Sequence, residues 1–176
     1  MNINIRQETE KDYKLSETVV EKAFKNEEHS DHKEQFLVAR LRRSDLFIPE
    51  LSLVAETSKE IIGHIMLTKL FIENERNRYE SLALAPVSVL PEYQNRGIGS
   101  KLINKSIKIA KELGYKSVIV LGHDKYYPRF GFKPASSWGI KAPFDIPDEV
   151  FMALELEDKS LNGITGTVAY SKEFFE

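Results

Sequence analysis

Two stretches of this 176-residue chain concentrate groups that could do chemistry. The first is Gln94-Asn95-Arg96-Gly97-Ile98-Gly99, with Ser100 behind it, set between a long extended segment and a strongly amphipathic one. A strand that passes through a glycine-containing loop into a helix points several unpaired N–H groups, and the positive end of the helix dipole, at one place. That place suits an anion, above all phosphate or pyrophosphate. Gly97 and Gly99 allow a ligand close to the backbone and tolerate positive φ, while Arg96 adds a charge. A dinucleotide fingerprint would need Gly where Leu102 stands, and a P-loop would need Gly-Lys-Ser/Thr where this chain has Gly99-Ser100-Lys101, so neither fits. The second stretch is Tyr126-Tyr127-Pro128-Arg129-Phe130-Gly131-Phe132. Its phenols, with an ordinary pKa of ~10, can protonate a leaving group.

Other residue types narrow the chemistry. The chain has no Cys, which removes disulfides, thiolate metal sites and cysteine nucleophiles together. His29 and His32 lie among Glu27, Glu28, Asp31 and Glu34, but so polar a setting reads as a solvated linker, and no metal is expected. With 25 basic and 27 acidic residues the formal charge is -2, which indicates neither disorder nor a nucleic-acid-coating surface. The longest uncharged stretch, Ser81 to Pro91, falls short of the ~20 residues of a membrane helix. The opening MNINIRQETEKDYK has no apolar signal core. These features predict a cytoplasmic protein without nucleic-acid or membrane partners, and the length suits one domain over residues 1–176.

The elements that must position the two stretches follow from the apolar period. Ile3 and Ile5 alternate as a first strand, and residues 10–25 and 32–43 carry apolar side chains at helical spacing, which predicts two amphipathic helices. Leu51, Leu53 and Ala55, then a turn at Thr57 to Glu60 and an extended run from Ile61 to Phe71, predict a β-hairpin. An extended segment from Tyr79 to Leu90 leads into the first chemical stretch, where Pro86 belongs at an edge, bulge or interruption. Leu102, Ile103, Ile107, Ala110 and Leu113 line one face of the next helix, which Gly114 ends. Ser117 to Leu121 reads as a strand buried on both faces. Asp124 to Phe130 is a turn or short helix, with Asp124 as its N-cap and Pro128 in its first turn. Strands at Val150 to Leu156 and Thr165 to Ser171 follow an irregular segment, Pro134 to Pro147. The order βααβββαβαββ predicts an α+β, mixed and mostly antiparallel sheet with helices on both faces.

Gln-x-x-Gly-x-Gly between a strand and an amphipathic helix resembles the acyl-CoA pyrophosphate loop of the GNAT superfamily of N-acyltransferases. The Tyr-x-x-x-Gly-Phe string at Tyr127 to Phe132 resembles a second feature of that family, in the expected order. The resemblance covers nearly the whole chain, most specifically residues 82–132. It implies that the fourth and fifth strands splay apart around the pantetheine arm of acetyl-CoA. The acyl-CoA-binding part would then be residues 79–132, and the helices at 10–43 would face the acceptor. It implies main-chain contacts to pantetheine from Val87, Ser88 and Val89, and diphosphate contacts from Gln94, Asn95, Arg96, Gly97, Ile98, Gly99 and Ser100. It also implies a general acid at Tyr127, with Tyr126 as the near alternative.

The base is the point at which the resemblance departs. Some family members carry a Glu on the fourth strand, but Ser81 to Leu90 contains no carboxylate, and Ala83 stands at the usual position. Three residues remain open: Glu80 at the start of that strand, Glu50 near the start of the second, and His64 on the third, as a neighbour of Ala85 or Pro86. Gly122, His123 and Asp124 also replace the Asn with which many members touch pantetheine. Arg40, Arg42 and Arg43 end the second helix and could meet an acidic acceptor. The expected function is direct transfer of acetyl from acetyl-CoA to a primary amine of a small molecule or peptide. The alternative is an acyl-CoA-binding sensor or interaction module without transfer activity, and a homodimer is left open.

Overall fold

The computed structural model describes residues 1–176. The elements in chain order are β1 (Asn4–Gln7), α1 (Tyr13–Phe24), α2 (Glu34–Arg42), β2 (Phe47–Glu56), β3 (Ile61–Glu73), β4 (Arg78–Val89), α3 (Ile98–Glu112), β5 (Ser117–Leu121), β6 (Lys133–Pro134), β7 (Ile140–Lys141), β8 (Phe151–Glu155) and β9 (Gly166–Ala169). β1 to β4 form an antiparallel meander, β4 and β5 are parallel, and β8 runs antiparallel to β5, giving the order β1-β2-β3-β4-β5-β8-β6. β9 lies beside the far end of β3, at Phe71 to Glu73, and carries β7 on its other edge. The mixed sheet has the expected class and element order. The two-residue strands β6 and β7 lie in and beside the segment read as irregular, because two residues carry no period to read.

Successive residues of a strand face opposite sides of a sheet, and β3 shows which helix covers which side. Ile65 and Leu67 join the core built on Leu102, Ile103 and Ala110 of α3. Met66 instead packs with Val20 of α1 and with Val38 and Leu41 of α2. The helices therefore sandwich the sheet. α3 ends as expected: Gly114 has φ +90, its N–H donates to the Lys111 carbonyl, and the Tyr115 N–H donates to the Ala110 carbonyl, a left-handed C-cap with reciprocal bonds. β2 departs from simple alternation, since Ser52 and Val54 are as buried as Leu51, Leu53 and Ala55.

Ser52 is buried because it joins a polar knot on the α1–α2 side. Glu8 accepts from Ser16 Oγ at 2.5 Å, Ser52 Oγ at 2.5 Å and Arg42 at 2.5 Å. Arg42 also reaches Glu17 at 2.6 Å and covers the Tyr13 ring at 4.1 Å. This overturns the reading of Arg42 as an acceptor contact. Its side chain is only 4% exposed and its charge is already matched. Arg40 donates to the Glu173 carbonyl at 3.0 Å and ties α2 to the last turn, Lys172–Phe175. Burial alone would raise the Glu8 carboxyl, but neighbouring His64 and the hydrogen bonds from Ser16 and Ser52 reverse that and hold it at about 2.

A carboxyl held below its unfolded value of ~4.3 adds stability that is present above that pH and is lost as pH falls through the folded value. Glu8→Gln leaves the buried Arg42 with Glu17 as its only carboxylate partner, and we expect it to cost about 1.5–3 kcal/mol at pH 7. In urea titrations at several pH values, the gap between wild type and Glu8→Gln should narrow from pH 5 toward pH 2. A gap that stays constant over that range would show that the Glu8 charge does not stabilise the knot.

Candidate active site

β4 is paired unequally on its two edges. Toward β3, Val89, Ser88 and Val87 face Gly63, His64 and Ile65, and Leu84 faces Leu67. Ala85 and Pro86 thus stand opposite Met66 alone, a β-bulge at the residue that cannot donate to a ladder. Toward β5, only Leu82 and Ala83 find partners, Val118 and Ile119. The buried Ser81 and Ser117 hydroxyls, 2.7 Å apart, close the vertex beside that pairing. Beyond it the strands part, and no strand pairs the second edge of β4 from Leu84 to Val89. The expected splay is present, and that edge leaves backbone donors and acceptors free for a ligand.

The glycine loop sits at the mouth of this opening. Gln94 turns back, and its Nε2 donates to the Val89 carbonyl at 3.0 Å, which joins the loop to the end of β4. Asn95 at φ 63 and Gly97 at φ 79 are both left-handed, so Gly97 is needed for its conformation, while a Cβ on it would meet nothing in the protein. No side chain caps α3 and no acidic residue occupies its first turn, so its leading N–H groups point outward unpaired. Gly99 lies inside α3, where a Cβ would come 3.4 Å from the Tyr126 hydroxyl. That hydroxyl is 3.2 Å from Ser100 Oγ. Arg96 is exposed, 5.5 Å from the Tyr93 ring centroid.

The two tyrosines have different surroundings. Tyr126 has its hydroxyl at the start of α3, whereas Tyr127 is buried in the core on the α3 side. The Tyr127 ring centroid lies 5.2 Å from that of Tyr126 and 5.6 Å from that of Phe132. Burial, reinforced by neighbouring Tyr126, pushes the Tyr127 hydroxyl well above the ordinary tyrosine range. Pro128 falls in the first turn of the short helix Tyr127–Phe130, as expected. Asp124 does not cap that turn. The amides of Tyr126 and Tyr127 both bond the His123 carbonyl instead.

The base candidates are scattered. Glu80 pairs with Phe71 of β3 on the far side of the β4–β5 pairing from the opening, 3.9 Å from Lys69. Glu50 lines a surface hollow beside the C-terminal half of α3, with Lys105, Ile109 and Glu112. His64 is fully buried, and its strand partners are Ser88 and Val54 rather than Ala85 or Pro86; the bulge accounts for one residue of that offset. Its Nε2 lies 3.3 Å from Ser52 Oγ and 3.6 Å from Glu8. Its Nδ1 and the Oγ of facing Ser88 are buried without partners. His32 Nδ1 is held 2.9 Å from the Phe24 carbonyl, and no group of three or more His, Asp or Glu is placed to hold a metal.

Comparison with known proteins gives these features a context. Residues 8–132 match the model of the acetyltransferase (GNAT) family. The chain belongs to that family. It is 42% identical over 118 residues, 66% of this chain, to the uncharacterized N-acetyltransferase YjhQ of Escherichia coli K12. That match spans 65% of YjhQ, just under two thirds. Among solved structures, the GNAT family N-acetyltransferase YhbS of Escherichia coli, in complex with CoA, superimposes with a TM-score of 0.90 at 25% identity, covering 100% of this chain and 93% of that one. A GNAT family acetyltransferase from Brucella melitensis, in complex with acetyl-CoA, has a TM-score of 0.79 at 32% identity over 98% of each chain. No helix of this family member is long and apolar enough to cross a membrane.

Sequence reasoning missed Gly122, which it read only as part of a departure from the family. A Cβ there would overlap Tyr127 Cε2 and come 2.8 Å from Cδ2, so the glycine makes the seat for that ring. It also missed a cavity of about 280 Å³ where β4 and β5 part. The walls come from chain segments too distant for any motif to join. Gly122→Ala should cost roughly 1–3 kcal/mol of stability by overpacking. Most of that cost should vanish when Tyr127→Leu is added, a non-additivity that a double-mutant cycle in urea measures directly. Additive costs would show that the ring does not depend on Gly122.

Proposed function

We propose that this chain is an acetyl-CoA-dependent N-acetyltransferase that moves acetyl directly to a primary amine. The observation that carries this reading is the unpaired edge of β4 between the bulge and the loop. A pantetheine arm has two amides, and it fits the edge of β4 around Val87, Ser88 and Val89 that no strand pairs, although the Val89 carbonyl is already taken by Gln94. The diphosphate would follow onto the amides of Asn95 to Ser100 at the start of α3, with Arg96 beside it and Gln94 holding the loop to β4. CoA and acetyl-CoA in the Escherichia coli and Brucella melitensis structures support the choice of cofactor.

Attack of the amine nitrogen on the thioester carbonyl forms a C–N bond and places negative charge on the carbonyl oxygen, where backbone amides of the bulge can stabilise it. Collapse breaks the C–S bond, and the sulfur must take a proton. Tyr127 is the donor in this reading, and Tyr126 serves the cofactor loop through Ser100. A phenol made less acidic by burial cannot remain ionised beside a thiol of pKa ~8.5. It therefore takes back a proton as it gives one, and the ammonium formed on the attacking nitrogen supplies it. Net transfer runs from nitrogen to sulfur through the Tyr127 oxygen, and the products are an amide and CoA as the thiol.

Removing a proton from a lysine-like amine of pKa ~10.4 at pH 7 costs about 4.6 kcal/mol. Neither Glu50 nor Glu80 lies at the opening to assist. His64, paired with Ser88, is enclosed, and its Nδ1 is buried without a partner. The reading that fits this placement is an acceptor that arrives as the neutral amine, drawn from the deprotonated fraction in solution.

Release of thiol from acetyl-CoA in the presence of amines tests the proposal, and binding of acetyl-CoA without turnover is the result expected of a sensor. Tyr127→Phe should lower kcat by roughly 10² to 10⁴ with little change in acetyl-CoA affinity. Retained kcat would move the proton transfer to another group. The rising limb of kcat/KM against pH should shift with the acceptor's own pKa when two amines about two units apart are compared. A limb fixed by the enzyme, and moved by His64→Gln, would assign the base to His64.

A further inference from the structure

The cavity between the parted strands says what kind of acceptor this enzyme takes, an inference that rests on the transferase reading above. It has a volume of about 280 Å³ and is lined by ten residues, every one of them apolar or aromatic. Its floor is Ala83 and Ala85 of β4, its side is Ile119 and Leu121 of β5, and Phe144 and Tyr170 stand over it. Ala83 belongs with the residues on the side of the sheet away from α3, and Leu37 of α2 completes the wall there. The cavity thus meets the bulge from the face opposite the glycine loop, which is the side left to a nucleophile when the cofactor enters from α3.

Three features argue that this is a binding surface rather than unfinished packing. Leu121, Phe144 and Phe175 are 48%, 40% and 66% exposed, three of the seven large apolar side chains left open to solvent, and all three gather around this cavity. Phe144 and Tyr170 stack at 6.2 Å with an interplanar angle of 16°, which gives the rim a stacked aromatic pair. The last turn, which contributes Phe174 and Phe175, is held to α2 by the Arg40 bond to the Glu173 carbonyl. Arg40 of α2 is engaged by that bond and by Glu176 at 3.8 Å, and no lining residue carries a charge.

We infer that the acceptor is an amine borne on an uncharged aromatic or branched hydrocarbon body, and that this body fills the cavity. At interior packing density near 0.75, the volume holds roughly 200 Å³ of ligand, on the order of ten non-hydrogen atoms. That suits an arylalkylamine. A polyamine, an aminoglycoside or a lysine-rich peptide would bring a second ammonium against a wall with no group to solvate it. The same wall disfavours the ammonium form of the reacting amine.

The test compares kcat/KM with acetyl-CoA for 2-phenylethylamine, propylamine and putrescine, each corrected to its neutral-amine concentration. Burying a phenyl group is worth about 2–3 kcal/mol, so 2-phenylethylamine should exceed propylamine by roughly 30- to 100-fold, and putrescine should fall below both. Ala83→Leu, which fills the floor, should reduce the ratio of the first two at least tenfold, with circular dichroism confirming the fold. A parallel series uses hexanoyl-CoA with propylamine. A gain from the longer acyl chain without a gain from the aromatic amine would give the cavity to the acyl group and overturn the inference. Equal or better turnover of putrescine would overturn it while leaving the transferase reading intact. Failure of every amine to release thiol, with acetyl-CoA still bound, would overturn the transferase reading itself and this inference with it.

Discussion

The architecture depends on one constraint: β4 must be fully paired on one edge and unpaired on most of the other. Antiparallel pairing to β3 runs from Arg78 to Val89, interrupted only at the bulge, while the parallel contact with β5 stops after Leu82 and Ala83. Unpaired backbone groups inside a protein are costly, so such an edge persists only if something else satisfies it. Solvent does so in the open state, and a ligand with its own amides can replace it. The long crossover through α3 serves the same constraint. It returns the chain to β4 in parallel, the arrangement that permits strands to touch at one end and diverge at the other, and it puts the free helix N-terminus at the divergent end.

The buried knot around Glu8 and Arg42 holds the other side of the opening in place. α1 and α2 have modest apolar faces, with two buried apolar side chains each. Hydrophobic contact alone would leave their rotation over the sheet weakly specified. Glu8 follows β1, Ser52 and His64 lie on β2 and β3, Ser16 belongs to α1 and Arg42 ends α2, so one carboxylate fixes five segments through directional bonds. A buried ion pair is a poor source of net stability but a strict geometric condition. Here it sets the position of Leu37, one turn before Leu41, and with it the α2 wall of the apolar cavity.

What the sequence revealed and what it hid divide along the distance over which each signal acts. The glycine loop, the Pro86 interruption, the Gly114 cap and the stripe on α3 are local: each depends on φ, a missing N–H or a helical period within a few residues, and each was legible. The polar knot was not. Its members are spread from Glu8 to His64, and Arg42 looked like a cation near a helix end because nothing nearby in the chain shows the carboxylate that it meets. His64 was misplaced by two to three residues, of which the bulge accounts for one; the rest is register, which pairing across strands sets and no local signal shows. Gly122 looked like a loss of a polar contact, when its role is to leave space for a ring five residues later.

The same division bears on the proposed pairing of a strongly anionic cofactor with an apolar acceptor. The N–H groups at the start of α3 are neutral, directional and left unpaired by the helix, so a loop that meets an anion there needs little formal charge beyond Arg96. The cavity proposed for the acceptor has a hydrocarbon floor, because Ala83 and Ala85 of β4 line it with side chains that carry no polar group. On the α3 side lies Tyr127, in an aromatic cluster whose burial raises its hydroxyl above the ordinary tyrosine range. In the proposed transfer, a proton passed through that oxygen would move between nitrogen and sulfur without crossing bulk water. Excluding water would also protect a bound thioester from hydrolysis, so an apolar wall that selects the amine, as proposed, would serve the economy of the reaction as well as its specificity.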